Sequence, residues 1–84
     1  MNPPRPLVTL YTRAGCHLCD DAKQVIADAR AHAEFDFEER DIDADPGLLR
    51  LYNEEVPVIA IDGRKAFKYR LDMNDFLKRL AARR

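Results

Sequence analysis

The chain alternates between short apolar runs and segments with helical periodicity, and this pattern predicts strands separated by helices. The β-branched run at residues 7–12 is typical of a buried central strand, and Arg13-Ala14-Gly15 predicts a tight turn out of it. Residues 16–33 place apolar side chains three and four positions apart, which predicts an amphipathic helix. Residues 35–38 alternate and then lose the alternation, so they predict a short edge strand that runs into a loop at residues 41–43.

The second half of the chain carries start and turn signals. Asp45 is a favourable N-cap, and Pro46 is a favourable first residue for a short helix. Asp62-Gly63 is a two-residue hairpin signal between two strand-like segments. Asp72 is a suitable N-cap for the last helix. The predicted elements are therefore a helix over residues 46–53, strands over residues 56–61 and 65–70, and a helix that begins near residue 72.

The last predicted strand has two different faces. Phe67 and Tyr69 fall on one face, and we interpret them as packing residues. Lys68 and Arg70 fall on the other face, where cations guard a sheet edge against further pairing.

The order β-α-β-α-β-β-α restricts the topology. The first two strands are joined by a helix and are expected to be parallel with a right-handed crossover, whereas the last two form an antiparallel hairpin. We therefore predict an α/β, thioredoxin-like fold with a mixed four-stranded sheet and helices on both faces. Residues 1–6 are interpreted as a loose tail, and residues 7–82 as a single domain.

The composition excludes several classes of protein. The chain has 84 residues, 46% of them apolar and 35% charged, which suits one small folded domain. Its 14 Lys and Arg are interspersed with 15 Asp and Glu, so nucleic-acid binding is not expected. The proline-rich start is unlike a signal peptide, and no apolar stretch approaches the roughly 20 residues of a membrane span. We expect a monomeric cytoplasmic protein without a membrane partner.

The candidate chemistry lies in the two cysteines, Cys16 and Cys19, which are the only ones in the chain. Two thiols separated by two residues, on the first turn of a helix that follows a strand, can close and reopen a small disulfide ring. This is the requirement for two-electron thiol chemistry. The pair therefore favours a thiol–disulfide oxidoreductase.

The two thiols are expected to differ in reactivity. Unpaired N–H groups at a helix N-terminus stabilise a thiolate, and Arg13 and protonated His17 add positive charge, so the pKa of Cys16 should lie below the free value of about 8.5. Asp20 and Asp21 oppose this shift. Cys19 lies further along the helix with its sulfur turned inwards, so it should be less exposed and react more slowly.

The segment Cys16-His17-Leu18-Cys19, together with Val56-Pro57 at the start of a strand and Asp62-Gly63 after it, resembles the glutaredoxins. It is most similar to a small bacterial glutaredoxin-like family with a Cys-His-Leu-Cys active site. The resemblance spans about residues 7–81 and implies a glutaredoxin-type version of the fold above. It also implies an enzyme that reduces or exchanges disulfides.

The resemblance assigns roles to individual residues. It implies that Cys16 is the nucleophile and that Cys19 resolves the mixed disulfide. Pro57 should be cis and face the cysteines, which would leave the backbone of Val56 free to pair with an extended substrate segment. Arg13, three residues before the first cysteine, occupies the position that contributes to glutathione binding.

Two further candidate substrate-binding residues are His17, which lies between the cysteines, and Asp72. Asp72 corresponds to an acidic residue that follows two glycines in the family, although its distance along the chain from that position differs by one residue. Those glycines approach glutathione and are absent here, where bulky residues occupy positions 67–71. Because these glycines are absent, a thioredoxin reductase is an equal candidate as electron donor. Glutathione remains a candidate co-substrate. The substrate is expected to be a disulfide-containing protein or glutathione.

Alternatives to disulfide reduction remain open. The pair could act as a redox-sensitive switch in a protein-binding module without efficient turnover, or a dimer could share an iron–sulfur cluster. A zinc site within one chain would need two further ligands, and only His17 and His32 remain as histidines. We therefore expect no resident metal and no bound cofactor.

Overall fold

A computed structural model describes residues 5–82, so four of the six residues predicted as a loose tail lie outside the described residues. Arg5 and Pro6 lie along the start of the second strand, because the Pro6 carbonyl accepts a hydrogen bond from Asp36 N–H (2.8 Å) and the Arg5 guanidinium pairs with the Asp36 carboxylate (3.0 Å). The elements are β1 (Leu7–Thr12), α1 (His17–Ala29), β2 (Asp36–Asp41), a 3₁₀ helix (Ile42–Ala44), α2 (Pro46–Tyr52), β3 (Val58–Ile61), β4 (Arg64–Lys68) and α3 (Met73–Ala82).

The four strands form one mixed sheet in the order β2-β1-β3-β4. β1 and β2 are parallel and β3 and β4 are antiparallel, as the element order predicts. β3 is also antiparallel to β1, which the element order left open. The C-terminal end of β1 therefore meets the start of β3 and the end of β4, since Tyr11 is opposite Val58 and Val58 is opposite Lys68. This end of the sheet carries the cysteine segment.

The main core lies between one face of the sheet and helices α1 and α3. Phe76 of α3 is fully buried and contacts the rings of Phe35 (5.7 Å between centroids) and Phe67 (6.4 Å) edge-on. The other buried members of this core are Val8, Leu10, Ala22, Ile26, Ala29, Ile59, Ile61 and Leu80. Because side chains alternate along β1, Tyr11 points to the opposite face, where its ring lies 4.7 Å from that of Tyr52 in α2. The helices therefore cover both faces, as predicted.

Helix α1 and strands β2 and β3 have boundaries that differ from the prediction. Helix α1 ends at Ala29 and not near residue 33, because residues 30–33 continue as turns in which Arg30 N–H donates to Ala27 O and His32 N–H to Ala29 O. Strand β2 is longer than predicted and reaches Asp41, since backbone pairing with β1 does not depend on the polar side chains of an exposed edge. Strand β3 begins at Val58, two residues later than predicted.

The predicted loop after β2 contains a short 3₁₀ helix. Its N-cap is Asp41, whose carboxylate accepts a hydrogen bond from Asp43 N–H (2.9 Å), and Ile42 is fully buried. Asp45 caps α2 and Pro46 opens it, as the sequence predicts. Among residues 5–82, the helices are all too short or too polar to cross a membrane.

The hairpin turn forms as predicted, with positive φ at Asp62 (52°) and Gly63 (84°). The prediction for the strand that follows is wrong at its end. Strand β4 stops at Lys68, and Tyr69 does not pack beside Phe67: it lies outside the strand with φ 70°, and it is 42% exposed.

Candidate active site

Cys16 is the N-cap of α1, and its sulfur forms a disulfide with Cys19. Gly15, at φ 78°, makes the turn that brings the chain from β1 into the helix. The Cys19 N–H donates to the Cys16 sulfur (3.1 Å), so a free helical N–H group points at this atom. Cys16 is half-buried, whereas Cys19 is only 2% exposed. The two sulfurs therefore differ in access as the sequence predicts.

Two exposed polar side chains lie near this helix start. His17 is the first residue of α1 and is exposed, while Asp20 lies in the first turn and is also exposed. A depression of about 400 Å³ opens beside the Arg13-Ala14-Gly15 turn, and its lining includes Asp20, Glu39 and Asp41. The side of the cysteine segment that faces β2 therefore carries three acidic residues and one cation, Arg13.

Arg13 joins the cysteine segment to two other parts of the chain. Its guanidinium donates to both carboxylate oxygens of Asp43 (2.7 and 3.3 Å) and to the carbonyl of Asn53 (2.9 Å). The hydrogen bond between the two side chains raises the pKa of Arg13 and lowers the pKa of Asp43. Arg13 was singled out in the sequence as a glutathione contact, whereas in the structure its donors are engaged by Asp43 and Asn53. Neither of these partners was singled out in the sequence.

The Val56–Pro57 peptide bond is cis, as the family resemblance implies. Pro57 is buried, and its carbonyl accepts a hydrogen bond from Tyr69 N–H (2.8 Å). Val56 is half-buried, and within residues 5–82 its backbone takes part in no loop or turn hydrogen bond. Arg13 reaches the segment just before Val56, and Tyr69 reaches the residue just after it.

Tyr69 forms a turn that sequence reasoning missed. The Arg70 N–H donates to the Lys68 carbonyl (2.9 Å) around Tyr69, which makes a γ-turn with positive φ, the rarer and more strained of the two kinds. The Lys68 ammonium lies 5.3 Å from the centre of the Tyr69 ring. The one signal for this turn in the sequence was that the two glycines of the family are absent and that bulky residues occupy positions 67–71.

Asp72 acts as the predicted N-cap of α3. Its carboxylate accepts a hydrogen bond from Asp75 N–H (3.0 Å), and the residue is exposed. This capping bond gives Asp72 a local role at the start of the helix.

A larger cleft of about 610 Å³ lies away from the cysteines. It is lined by residues at the end of β3, the start of β4 and the end of α3, including Arg64, Lys65 and Arg79. Because Arg64 pairs with Ile61 and not with Val58, this cleft is at the opposite end of the sheet from Cys16. Among the residues that the structure describes, no three His, Cys, Asp or Glu side chains are grouped so that they could hold a metal ion.

Comparisons with known proteins agree with this geometry. The model of the glutaredoxin-like domain (DUF836) matches residues 7–81. An uncharacterized protein of Mycobacterium bovis is 33% identical in an alignment of 73 positions that covers 81% of this chain and 75% of that protein. The crystal structure of a structural-genomics target from X. campestris is 37% identical, with a TM-score of 0.76 and coverage of 92% of this chain and 99% of that one.

The fold is also that of the thioredoxins. A thioredoxin variant from Halobacterium salinarum has a TM-score of 0.72 over 94% of this chain and 74% of its own, at 14% identity. The predicted α/β, thioredoxin-like architecture is therefore confirmed.

Proposed function

The chain belongs to the glutaredoxin-like domain family, and from this membership and its Cys16–Cys19 disulfide we propose that it is a thiol–disulfide oxidoreductase. The observation that carries the proposal is the asymmetry of the pair. Cys16 is reachable at the start of a helix, and Cys19 is buried one turn behind it. One sulfur can therefore attack a substrate while the other is held in reserve.

The reaction begins with the reduced pair. The Cys16 thiolate attacks one sulfur of the substrate disulfide, a mixed disulfide forms, and the other substrate sulfur leaves as a thiolate that takes a proton. Cys19 then loses its proton and attacks the Cys16 sulfur, which forms the intramolecular disulfide and releases the second substrate thiol. The substrate gains two electrons and two protons. A thiol donor must then reduce the Cys16–Cys19 disulfide for the next cycle.

Surrounding residues support these steps. The Cys19 N–H donates to the Cys16 sulfur in the disulfide, and after reduction the same N–H stabilises the Cys16 thiolate through a charge-assisted hydrogen bond. In this proposal the backbone of Val56, which takes part in no loop or turn hydrogen bond among residues 5–82, pairs with an extended substrate. In this proposal Arg13 is a positioning residue for the cysteine segment, and Asp72 holds the start of α3.

The donor is either glutathione or a thioredoxin reductase, and the reducing environment of the cytoplasm suits either. Two molecules of glutathione could supply the electrons and leave as glutathione disulfide. Tyr69 stands exposed beside Pro57 where a small thiol would approach, and this favours a protein donor.

The direct test is stopped-flow mixing of the reduced protein with glutathione disulfide and with a peptide disulfide. We expect the wild type to form its intramolecular disulfide and release thiol. Cys16→Ser should be inactive, and Cys19→Ser should accumulate a mixed disulfide that is visible by mass spectrometry. Full activity in Cys16→Ser, or no thiol release by the wild type, would contradict the proposal.

A redox-sensitive binding module is the second candidate, and the exposed Tyr69 ring beside the cysteine end of the sheet favours it. In that case the disulfide would change the affinity for a partner without turnover. Rapid multiple turnover with either donor would decide against this alternative.

A further inference from the structure

The γ-turn at Lys68-Tyr69-Arg70, which we call the basic turn, lies directly beside the segment proposed to pair with substrate. The Tyr69 N–H donates to the Pro57 carbonyl (2.8 Å), so the turn is fixed to the residue that follows Val56. Lys68 is opposite Val58 in the sheet, and this places the turn at the cysteine end. A substrate segment that lies along Val56 therefore has the basic turn as its neighbour.

The turn presents side chains and not backbone to a ligand. The Tyr69 ring is 42% exposed, and Lys68 and Arg70 on either side of it are exposed. Two of its backbone N–H groups are occupied, since Tyr69 N–H donates to the Pro57 carbonyl and Arg70 N–H donates to the Lys68 carbonyl. A bulky residue held at positive φ is uncommon, and such conformations cluster at functional sites.

Neither cation of the basic turn forms an ion pair within the described part of the chain, although the pKa of Glu55 is lowered by its hydrogen bond with Lys65 and, to a smaller extent, by the charge of Lys68. Lys65, on the same strand, forms an ion pair with Glu55 (2.9 Å). By contrast, neither Lys68 nor Arg70 forms an ion pair with any of residues 5–82, and the Lys68 ammonium lies over the Tyr69 ring. Two unpaired cations beside an exposed aromatic ring suit a partner that supplies carboxylates and some apolar surface.

The other side of the cysteine segment has the opposite charge. The depression beside Gly15 is lined by three acidic residues, Asp20, Glu39 and Asp41, and by one cation, Arg13, whose guanidinium is engaged by Asp43. Glu39 forms an ion pair with Lys23 (3.0 Å). An acidic substrate is repelled there and attracted by the basic turn. The two sides together therefore orient a charged segment across Cys16.

We propose that the basic turn selects the substrate of this oxidoreductase, and that the substrate is an extended polypeptide segment whose disulfide is flanked by acidic residues. This inference rests on the proposed function and adds the substrate class. The Tyr69 ring contacts the segment, and Lys68 and Arg70 pair with its carboxylates. The disulfide exchange itself proceeds by the two steps given above.

The test compares three peptide disulfides of equal length whose cysteine is flanked by Glu, Ser or Lys, with glutathione disulfide as a fourth substrate. At low salt we expect the reduced wild type to react with the Glu peptide on the order of tenfold faster than with the Lys peptide, and the difference to shrink as salt screens the charges. Glutathione disulfide should react more slowly than the Glu peptide.

The decisive variant is Lys68→Glu/Arg70→Glu, which should invert the order of the Glu and Lys peptides. Arg64→Glu/Lys78→Glu is the matched control, because it makes the same change in net charge at the far end of β4 and on the exposed side of α3. This control should keep the wild-type order.

Any one of three results would overturn the inference. The Glu and Lys peptides could react at equal rates, the two double variants could have the same effect, or glutathione disulfide could react faster than the Glu peptide. The Ser peptide separates this failure from a failure of the proposed function. If the wild type reacts with the Ser peptide but reacts equally fast with the Glu and Lys peptides, only the substrate class is wrong. If it reacts with none of the four disulfides, the proposed oxidoreductase activity is wrong and the substrate class falls with it.

Discussion

Arg13 and Asp43 are 30 residues apart in the chain, and their side chains meet through two N–H···O bonds of 2.7 and 3.3 Å. The pair joins the turn before Cys16 to the 3₁₀ helix after β2. A third bond from Arg13 to the Asn53 carbonyl (2.9 Å) adds the segment that leads to Val56-Pro57. One guanidinium therefore holds together the two chain segments from which the proposed site is built.

If Arg13 is a positioning residue, its geometry matters more than its charge. Arg13→Lys keeps the charge but cannot make the forked contact with Asp43 together with the bond to Asn53. We expect Arg13→Lys, Arg13→Gln and Asp43→Asn to lower the rate constant for disulfide exchange by a similar factor, several-fold in each case, as measured by stopped flow. The cause is a looser placement of Cys16 relative to Val56.

A matched control for this experiment is Lys23→Gln, which breaks a 3.0 Å ion pair between α1 and β2 without touching the turn before Cys16. It should leave the rate constant near that of the wild type. If Arg13 instead contacts an anionic substrate, Arg13→Lys should be nearly as active as the wild type. In that case Asp43→Asn should raise the rate constant by freeing the guanidinium.

The same pair predicts a dependence of stability on pH. The hydrogen bond from Arg13 holds the pKa of Asp43 below the ordinary value of about 3.9. A depressed carboxyl pKa contributes stability that is present above the ordinary pKa and is lost as pH falls through the lowered value. We therefore expect the wild type to be more stable than Asp43→Asn near pH 7, and this difference to shrink as pH falls below about 3.9.

Thermal unfolding from pH 2 to pH 7 measures this difference. The double variant Arg13→Gln/Asp43→Asn should follow the pH dependence of Arg13→Gln, because the partner that lowers the pKa of Asp43 is then absent. A difference between wild type and Asp43→Asn that stays constant over this range would show that Arg13 does not stabilise the ionised carboxylate.

The cysteines give a separate prediction about reactivity. In the reduced protein, the Cys19 N–H hydrogen bond to the Cys16 sulfur should favour the thiolate, so alkylation of Cys16 should show a midpoint below about pH 8.5. Cys19 is 2% exposed and should be alkylated more slowly. Timed reaction with iodoacetamide followed by peptide mass spectrometry distinguishes the two sites. Faster modification of Cys19 than of Cys16 would reverse the assigned roles.

The sequence was sufficient for the parts of this site that depend on local chemistry. Cys16 and Cys19 lie within one helical turn, Asp45-Pro46 starts a helix by capping, and Asp62-Gly63 makes a hairpin by its own backbone preferences. Each of these signals acts over a few residues. The family resemblance supplied the cis Val56–Pro57 bond, which no local pattern would have required.

The rest depends on contacts that only the folded sheet creates. Asp43 and Asn53 are 30 and 40 residues from Arg13, and acidic or amide residues at such distances carry no pairing signal. The alternation of residues 65–70 predicted a strand to its end, but Tyr69 instead bonds to the Pro57 carbonyl and leaves β4. At Tyr69 a hydrogen bond between distant parts of the chain thus outweighs the alternation of side chains that is typical of a strand.

The backbone at Tyr69 can be tested by comparing two variants that both lack the ring. Glycine accepts a φ of 70° without a steric cost, whereas alanine does not, so Tyr69→Gly should be more stable than Tyr69→Ala by roughly 1 kcal/mol. Gly63→Ala provides the reference, because Gly63 has φ 84° and a Cβ there would meet no neighbouring atom within 4 Å. It should therefore lose stability through the backbone conformation alone, again by roughly 1 kcal/mol. Urea unfolding of the oxidised proteins measures the stability of all three variants. If the two Tyr69 variants are equally stable, residue 69 leaves the γ-turn conformation once the ring is removed.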